Sequence, residues 1–300
     1  GEGLLRVTVT MPRADERYVA AGGVRFHVWR ADPARKRRTT PVLLLHGLPE
    51  TALAWRDLLP ALAVDRTVIA PDLKGLGASE VRPPYDSQTL AAELAALLLH
   101  EVDGEVDVVG HDWGGSLALT LAGQRPELVR RLVVINAPFR HLNLLRAAHV
   151  PLLSLPALPE IAFRLAGDQL VRGAFRLGWK SGVAPADVVA AYVDAYTSAD
   201  RVAAMLSYYR SATRPRLVRF ARLAARGGDR VVPPPRVRVD RSLVVWGAAD
   251  PVLPLSVGES VVRDLGAGST MVTLPGVGHF VPEEAPDIVA ATVGDFLRAS

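Results

Sequence analysis

A tight turn at residues 110–115 carries the strongest chemical signal in the sequence. It reads G-H-D-W-G-G, follows an apolar strand-like run and precedes a helical stretch. Glycines two residues before and after Asp112 allow a sharp turn that places the central side chain above a sheet. An aspartate there can attack carbon through a carboxylate oxygen and form an ester. The alternative interpretation is an ordinary turn in which Asp112 is the N-cap of the next helix.

Three further loops follow apolar runs and complete a possible catalytic site. In H-G-L-P-E (46–50), the backbone N–H of Leu48 could join that of Trp113 in an oxyanion hole. Asp250 follows the run 243–246, and His279 lies in the glycine-rich segment 276–280. The order of nucleophile, acid and histidine is that of the triads built on one class of α/β fold. Each loop alone could be an ordinary turn, but together they predict a triad of Asp112, Asp250 and His279.

The elements that must position these loops alternate between strand and helix. Short, near-continuous apolar runs are typical of strands buried on both faces of a parallel sheet. Helical stretches between them predict an α/β doubly wound domain. Buried strands are predicted at 42–45, 67–70, 106–109, 132–135, 243–246 and 271–274, antiparallel strands at 6–10 and 24–30, and helices at 90–99, 116–124 and 288–297.

The alternation lapses between residues 139 and 228, a segment rich in Leu, Ala and Arg. Residues 184–195 and 201–209 have helical patterns, so we expect an all-helical insertion, a cap, at 139–228. The core domain then comprises residues 1–138 and 229–300.

Composition excludes several classes of protein. The 300 residues are 49% hydrophobic and 22% charged, so a large core can form and global disorder is excluded. The absence of cysteine excludes disulfides and thiolate nucleophiles. No apolar run reaches the ~18 residues of a membrane span, and no secretory signal is evident, so we expect a cytoplasmic protein.

The charge pattern and the motifs also restrict the possible binding partners. The net charge is only +4, and the basic run 35–38 lacks interleaved aromatic residues, so we interpret it as a solvated loop and expect no nucleic acid. No metal-ligand spacing or phosphate-binding loop is present, and we predict no cofactor and no metal. We expect a monomer or a homodimer.

The combined motifs resemble α/β-hydrolase fold proteins of the epoxide hydrolase and haloalkane dehalogenase branch. The matching segments are H-G-x-P (46–49), A-P-D-x-x-G-x-G-x-S (70–79), H-D-W-G-G (111–115) and G-H-F (278–280). The resemblance spans residues 18–140 and 240–298. It implies an α/β-hydrolase fold, a mostly parallel twisted sheet flanked by helices, with a helical cap where the sequence predicts an insertion.

The resemblance also implies a two-step reaction, whose leaving group the sequence leaves open. Asp112 forms an ester, and water activated by His279 and Asp250 hydrolyses it. In epoxide hydrolases two cap tyrosines usually hydrogen bond to the epoxide oxygen. Tyr209, in S-Y-Y-R (207–210), matches the second of them.

The first cap tyrosine has no counterpart, because the sequence has no Tyr between residues 85 and 192. Either one tyrosine suffices, or another donor replaces the missing one, or Tyr192 or Tyr196 reaches the site. The early cap offers His141, His149 and Trp179 as such donors. We expect the substrate to be a small, apolar epoxide. The expected substrate-binding residues are Tyr208, Trp179, His149, Phe163 and Phe280.

A haloalkane dehalogenase with the same triad is the alternative, since the indoles of Trp113 and Trp179 could bind a halide. Leu48 stands where many dehalogenases have a polar residue, which favours the epoxide interpretation. A non-hydrolytic biosynthetic catalyst or a ligand-binding protein is the further alternative. For His46 and His111 we expect structural roles.

Overall fold

The computed structural model describes residues 11–35, 39–141, 146–226, 237 and 239–299, with backbone alone for 214–226. Its centre is a single sheet. The strands are β1 (Asp15–Ala21), β2 (Val24–Ala31), β3 (Val42–Leu45), β4 (Val68–Pro71), β5 (Val106–His111), β6 (Val129–Ile135), β7 (Arg241–Gly247) and β8 (Ser269–Leu274). Their order in this eight-stranded sheet is β1-β2-β4-β3-β5-β6-β7-β8. The β1–β2 and β2–β4 pairs are antiparallel, and all other pairs are parallel. The predicted mostly parallel α/β sheet is confirmed.

Helices connect the strands, as the alternating pattern predicted. They are α1 (Leu58–Leu62), α2 (Ser87–Glu101), α3 (Trp113–Gln124), α4 (His149–Leu153), α5 (Leu158–Gly178), α6 (Ala186–Ala195), α7 (Ala199–Arg226), α8 (Leu255–Leu265), α9 (Val281–Glu284) and α10 (Pro286–Arg298). No helix of the described segments is long and apolar enough to cross a bilayer.

The core lies on both faces of the sheet because the central strands carry buried apolar side chains on both faces. In β3, Leu43 and Leu45 belong to the cluster that also holds residues of α2, α3 and α8. Val42 and Leu44 point to the opposite face and join the cluster that holds residues of α1 and α10. Because β3, β5, β6, β7 and β8 are parallel, their carboxyl ends lie at one end of the sheet, where the loops with chemical signals meet.

The edges of the sheet differ from the sequence-based prediction. Strand β8 is an edge strand and is only partly buried, so the expectation of burial on both faces is wrong there. Strand β1 at the other edge was not predicted, because its first residues are charged and exposed. The predicted strand 6–10, the basic residues 36–38 and the predicted cap end at 227–228 lie outside the described residues.

Helices α4–α7 occupy the connection between β6 and β7, where the sequence predicts the cap. Helix α5 packs on α6 and α7, and α4 packs on α7. Helix α5 is kinked at Ala166, whose backbone is not helical. The kink divides α5 into two segments that border the cavity described below.

Candidate active site

Asp112 stands at the sharp turn between β5 and α3. Its backbone has φ 50° and ψ −119°, a left-handed conformation that typically costs a non-glycine residue ~1–3 kcal/mol. The turn requires glycine because an added Cβ on Gly114 would lie 2.1 Å from the carbonyl oxygen of Leu45, and one on Gly110 would lie 2.5 Å from that of Gly114. The Asp112 side chain makes no capping hydrogen bond to α3. The carboxylate therefore does not cap α3, and it faces the candidate active site.

The two other predicted triad residues lie beside it. His279 Nδ1 is 2.7 Å from Asp250 Oδ2, and His279 Nε2 is 3.5 Å from Asp112 Oδ2. Asp250 and His279 follow β7 and β8, which are neighbours in the sheet. The imidazole thus bridges two carboxylates, an arrangement in which one acid orients a base toward the other.

A backbone donor holds one oxygen of the Asp112 carboxylate. The N–H of Leu48 donates to Asp112 Oδ1 at 3.1 Å. The backbone N–H of Trp113 favours the charged form of the same carboxylate and helps to lower its pKa. Oδ1 therefore lies where an ester carbonyl oxygen would be stabilised, and Oδ2 is left facing His279.

Electrostatics favour an ion pair in this triad. Burial would raise the pKa of Asp112, but the hydrogen bond and charge of His279 outweigh it and lower that pKa. Burial would lower the pKa of His279, but the charge of Asp250 and the bonds to both carboxylates raise it well above its usual value. Both pKa shifts favour a carboxylate paired with an imidazolium in the resting site. Esterification of Asp112 would remove one negative charge and lower the pKa of His279, which favours the neutral imidazole that can accept a proton from water.

Asp250 is fixed by a residue whose role the sequence did not reveal. Its Oδ1 accepts the N–H groups of Val252 at 2.7 Å and Leu253 at 2.9 Å, and its Oδ2 accepts Asn136 Nδ2 at 2.6 Å. Asn136 Oδ1 in turn accepts the N–H of Gly247 at 2.8 Å, which orients the amide. The position of Asn136 at the end of β6, one strand from β7, was the available signal.

A buried layer supports the nucleophile turn from behind. Glu50 Oε2 accepts the N–H of Gly47 at 2.9 Å and lies 2.9 Å from His111 Nδ1. His111 Nε2 lies 2.8 Å from the carbonyl oxygen of His279. The backbone N–H of Leu73 donates to His46 Nε2 at 3.0 Å. These contacts are of the structural kind expected for both histidines.

A cavity of about 1080 Å³ opens above Asp112 and His279. Its walls are mostly apolar and come from the core loops and from α4, α5 and α7. Four of the residues expected to contact substrate or leaving group line it: His149, Phe163, Tyr209 and Phe280.

Two other expected substrate-binding residues face elsewhere, which corrects the sequence-based assignment. The Tyr208 hydroxyl donates to the carbonyl oxygen of Lys74 at 2.8 Å. The Trp179 indole Nε1 donates to the carbonyl oxygen of Ser181 at 3.1 Å. Neither residue is part of the cavity wall. Both are structural residues of the cap, because their polar atoms already have backbone partners.

The hydroxyls of Tyr192 and Tyr196 also have partners away from the cavity. Tyr192 donates to Glu283 Oε1 at 3.0 Å, and Tyr196 donates to the carbonyl oxygen of Glu50 at 2.9 Å. Neither tyrosine therefore fills the role of the missing first cap tyrosine. These bonds attach α6 and its end to the core.

After these exclusions, Tyr209 and His149 are the expected cap donors that line the cavity near Asp112. Burial, with a smaller effect of the Asp112 charge, raises the pKa of Tyr209, so its hydroxyl stays protonated. Burial lowers the pKa of His149, so that imidazole is neutral at pH 7. The two rings pack edge to face with centroids 5.9 Å apart, and Tyr209 packs likewise on Trp113 at 5.3 Å.

Glu284 links the cap to the histidine loop, a role that sequence reasoning missed. Its Oε2 accepts the N–H groups of Gly278, Lys180 and Ser181 at 2.7–2.9 Å. The N–H of His279 donates to the carbonyl oxygen of Gly178 at 2.8 Å. The backbone around His279 is thus bonded directly to the end of α5.

Comparison with known proteins agrees with the fold. Residues 40–286 match the alpha/beta hydrolase fold family. The chain is 27% identical to the AB hydrolase superfamily protein YfhM of Bacillus subtilis (strain 168), over 94% of this chain and 97% of that protein. A shorter match, 46% identical, covers 32% of this chain and 34% of a soluble epoxide hydrolase from Corynebacterium sp. (strain C12).

A solved structure extends the likeness to three dimensions. The epoxide hydrolase CorEH superimposes with a TM-score of 0.77 at 25% identity, covering 94% of this chain and 98% of that one. The chain belongs to the alpha/beta hydrolase fold family.

Proposed function

We propose that this hydrolase opens epoxides to vicinal diols through an ester on Asp112. The observation that carries the proposal is that the two carboxylate oxygens of Asp112 have different environments. Oδ1 accepts the N–H of Leu48, whereas Oδ2 faces His279 and is available to attack the substrate. The epoxide hydrolase relatives and the mostly apolar cavity support the same substrate class.

In the first step Asp112 Oδ2 bonds to an epoxide carbon and the carbon–oxygen bond breaks. The bonding electrons go to the epoxide oxygen, which receives a proton from the Tyr209 hydroxyl. His149 serves as the second hydrogen-bond donor, in place of the missing tyrosine. The His279 imidazolium then returns a proton to the Tyr209 oxygen through solvent, so the half-reaction ends with the ester, a hydroxyl on the former epoxide oxygen, an intact Tyr209 and a neutral imidazole.

In the second step neutral His279 takes a proton from water, and the hydroxide attacks the ester carbonyl carbon. The developing oxyanion on Oδ1 is stabilised by the N–H groups of Leu48 and Trp113. Collapse releases the diol, and the proton left over restores the imidazolium and carboxylate. Asp250 stays ionised throughout and orients the imidazole.

The dehalogenase alternative loses support from the cap. It needs two indole donors for the halide, and Trp179 donates its N–H to Ser181 instead. Leu48 in the oxyanion loop supplies no polar side chain that could replace it.

The cytoplasmic location and the monomeric or homodimeric state stay predictions.

A single turnover in ¹⁸O-water tests the ester. The incoming water oxygen should appear in the Asp112 carboxylate, while the first diol formed stays unlabelled. Label in the diol alone would mean that water attacks the epoxide directly. Aromatic epoxides and haloalkanes assayed side by side test the substrate class, and halide release without any diol would contradict the epoxide assignment.

A further inference from the structure

The cap presents an unusual concentration of exposed apolar side chains on α4, α5 and the turn between them. In helix α5, Leu158, Ile161 and Leu165 follow the i, i+3, i+7 spacing of one helical face. Contiguous exposed apolar surface of this kind usually marks an interaction site. We call the following set the apolar cap face: Leu152, Leu155, Leu158, Ile161, Leu165, Leu170 and Leu177.

The apolar cap face is continuous with part of the active-site cavity wall. Leu152, Leu158, Leu170 and Leu177 line the cavity and are also between 40% and 59% exposed. The same side chains thus continue from the cavity wall to the outer surface. A molecule bound to this face lies next to the entrance.

Cations accompany the apolar cap face. Arg164, Arg172 and Arg176 extend from α5, and none of them has an ion pair or hydrogen bond within the described residues. Helix α5 has two acidic residues, and one of them, Glu160, is ion-paired with Arg210. Only the charge of Asp168 then offsets the charges of the three arginines of α5. A second copy of the chain seated symmetrically here would bring like charges together. An anionic surface is the complementary partner.

We propose that the apolar cap face docks on a bilayer surface that contains anionic phospholipid. Leucine and isoleucine side chains would enter the headgroup boundary while the arginines bind phosphate, the two signals that stable peripheral binding requires. The cavity entrance would then open onto the lipid, which would admit an apolar substrate without passage through water. Docking does not depend on the reaction, so its test is separate from that of the proposed function.

Co-sedimentation of the full chain with vesicles tests the proposal. We expect binding to phosphatidylcholine vesicles that contain phosphatidylglycerol and far weaker binding to phosphatidylcholine alone. Ile161→Glu with Leu165→Glu should weaken binding roughly 100-fold. These side chains are 53% and 80% exposed and lie outside the cavity wall, so circular dichroism and turnover of a water-soluble epoxide should be unchanged. Arg164→Gln with Arg176→Gln should weaken binding roughly 25-fold at moderate salt.

Leu99→Glu is the matched control, since Leu99 is 57% exposed on α2, away from the cap. It should bind vesicles as the unaltered chain does. Equal loss in the control, or no binding of the unaltered chain to anionic vesicles, would overturn the proposal. A dimer that the Ile161→Glu, Leu165→Glu variant disrupts, without vesicle binding, would assign the face to self-association and overturn it too.

Discussion

The change Tyr209→Phe removes one oxygen atom from the cavity wall and leaves the packing intact. The aromatic ring keeps its edge-to-face contacts with Trp113 at 5.3 Å and His149 at 5.9 Å. The hydroxyl is held protonated because burial and the nearby Asp112 charge raise its pKa. Its loss should therefore affect the step in which the epoxide oxygen becomes negative, and little else.

The size of the effect follows from the position of Tyr209 in a mostly apolar cavity. Loss of one donor to a developing oxyanion typically slows a reaction about 10²–10³-fold, or ~2.7–4 kcal/mol. We expect alkylation of Asp112 to slow by that factor. Hydrolysis of the ester should change little, because its oxyanion lies on the N–H groups of Leu48 and Trp113 rather than on Tyr209.

Rapid quench under single-turnover conditions, with mass detection of the alkylated enzyme, measures the two steps separately. The adjacent Tyr208→Phe is the matched control. It loses the hydrogen bond to Lys74, which should lower the free energy of unfolding by ~0.5–1.5 kcal/mol without a change in either step. Equal slowing of both steps in Tyr209→Phe, or equal slowing of alkylation in both variants, would refute the role of the Tyr209 hydroxyl.

Three further predictions follow from the site. His149→Phe should slow alkylation about tenfold in the quench assay if His149 is the second donor, and an unchanged rate would remove it from the mechanism. Glu284→Ala should lower the free energy of unfolding in urea by ~2–4 kcal/mol, since several backbone donors lose their acceptor, whereas the exposed Glu259→Ala should have no measurable effect. Because the pKa of His279 is raised in the folded state, its ion pair should contribute fully to stability below about pH 6.5 and less as pH rises toward the folded-state pKa. The free energy of unfolding in urea, measured from about pH 6 to about pH 9, should therefore fall more steeply than in the His279→Gln variant. Parallel curves for the two proteins would contradict the ion pair.

The arrangement of Asp112, Asp250 and His279 could be predicted because it depends on the sheet alone. Each residue follows a strand whose apolar run is visible in the sequence, and parallel strands bring their carboxyl ends to one edge. Loop length and strand order then leave little freedom for the three side chains. The structure brings together what the sequence predicted.

The cap residues could not be assigned in the same way. Tyr208 and Tyr209 are adjacent on one helix, so their side chains point about 100° apart, and only the packing of α7 decides which one reaches the cavity. Glu284 was missed because its partners are backbone N–H groups of Lys180 and Ser181, about a hundred positions earlier in the chain. Backbone donors leave no pattern in side-chain types. For Asn136 the signal was present, but its contact with Asp250 depends on the strand order.

The bonds that hold Gly178, Lys180 and Ser181 to the histidine loop have a consequence for engineering. Helices α6 and α7 are tied to the core by tyrosine hydroxyls, and the end of α5 is tied by Glu284 and by the N–H of His279. The preceding stretch, residues 149–177, supplies much of the cavity wall and lies ahead of these bonds. This segment could therefore be exchanged as a unit. In chimaeras that take it from a relative and retain residues 178–181, the substrate preference would change, while the hydrogen bonds that hold the His279 loop would stay in place.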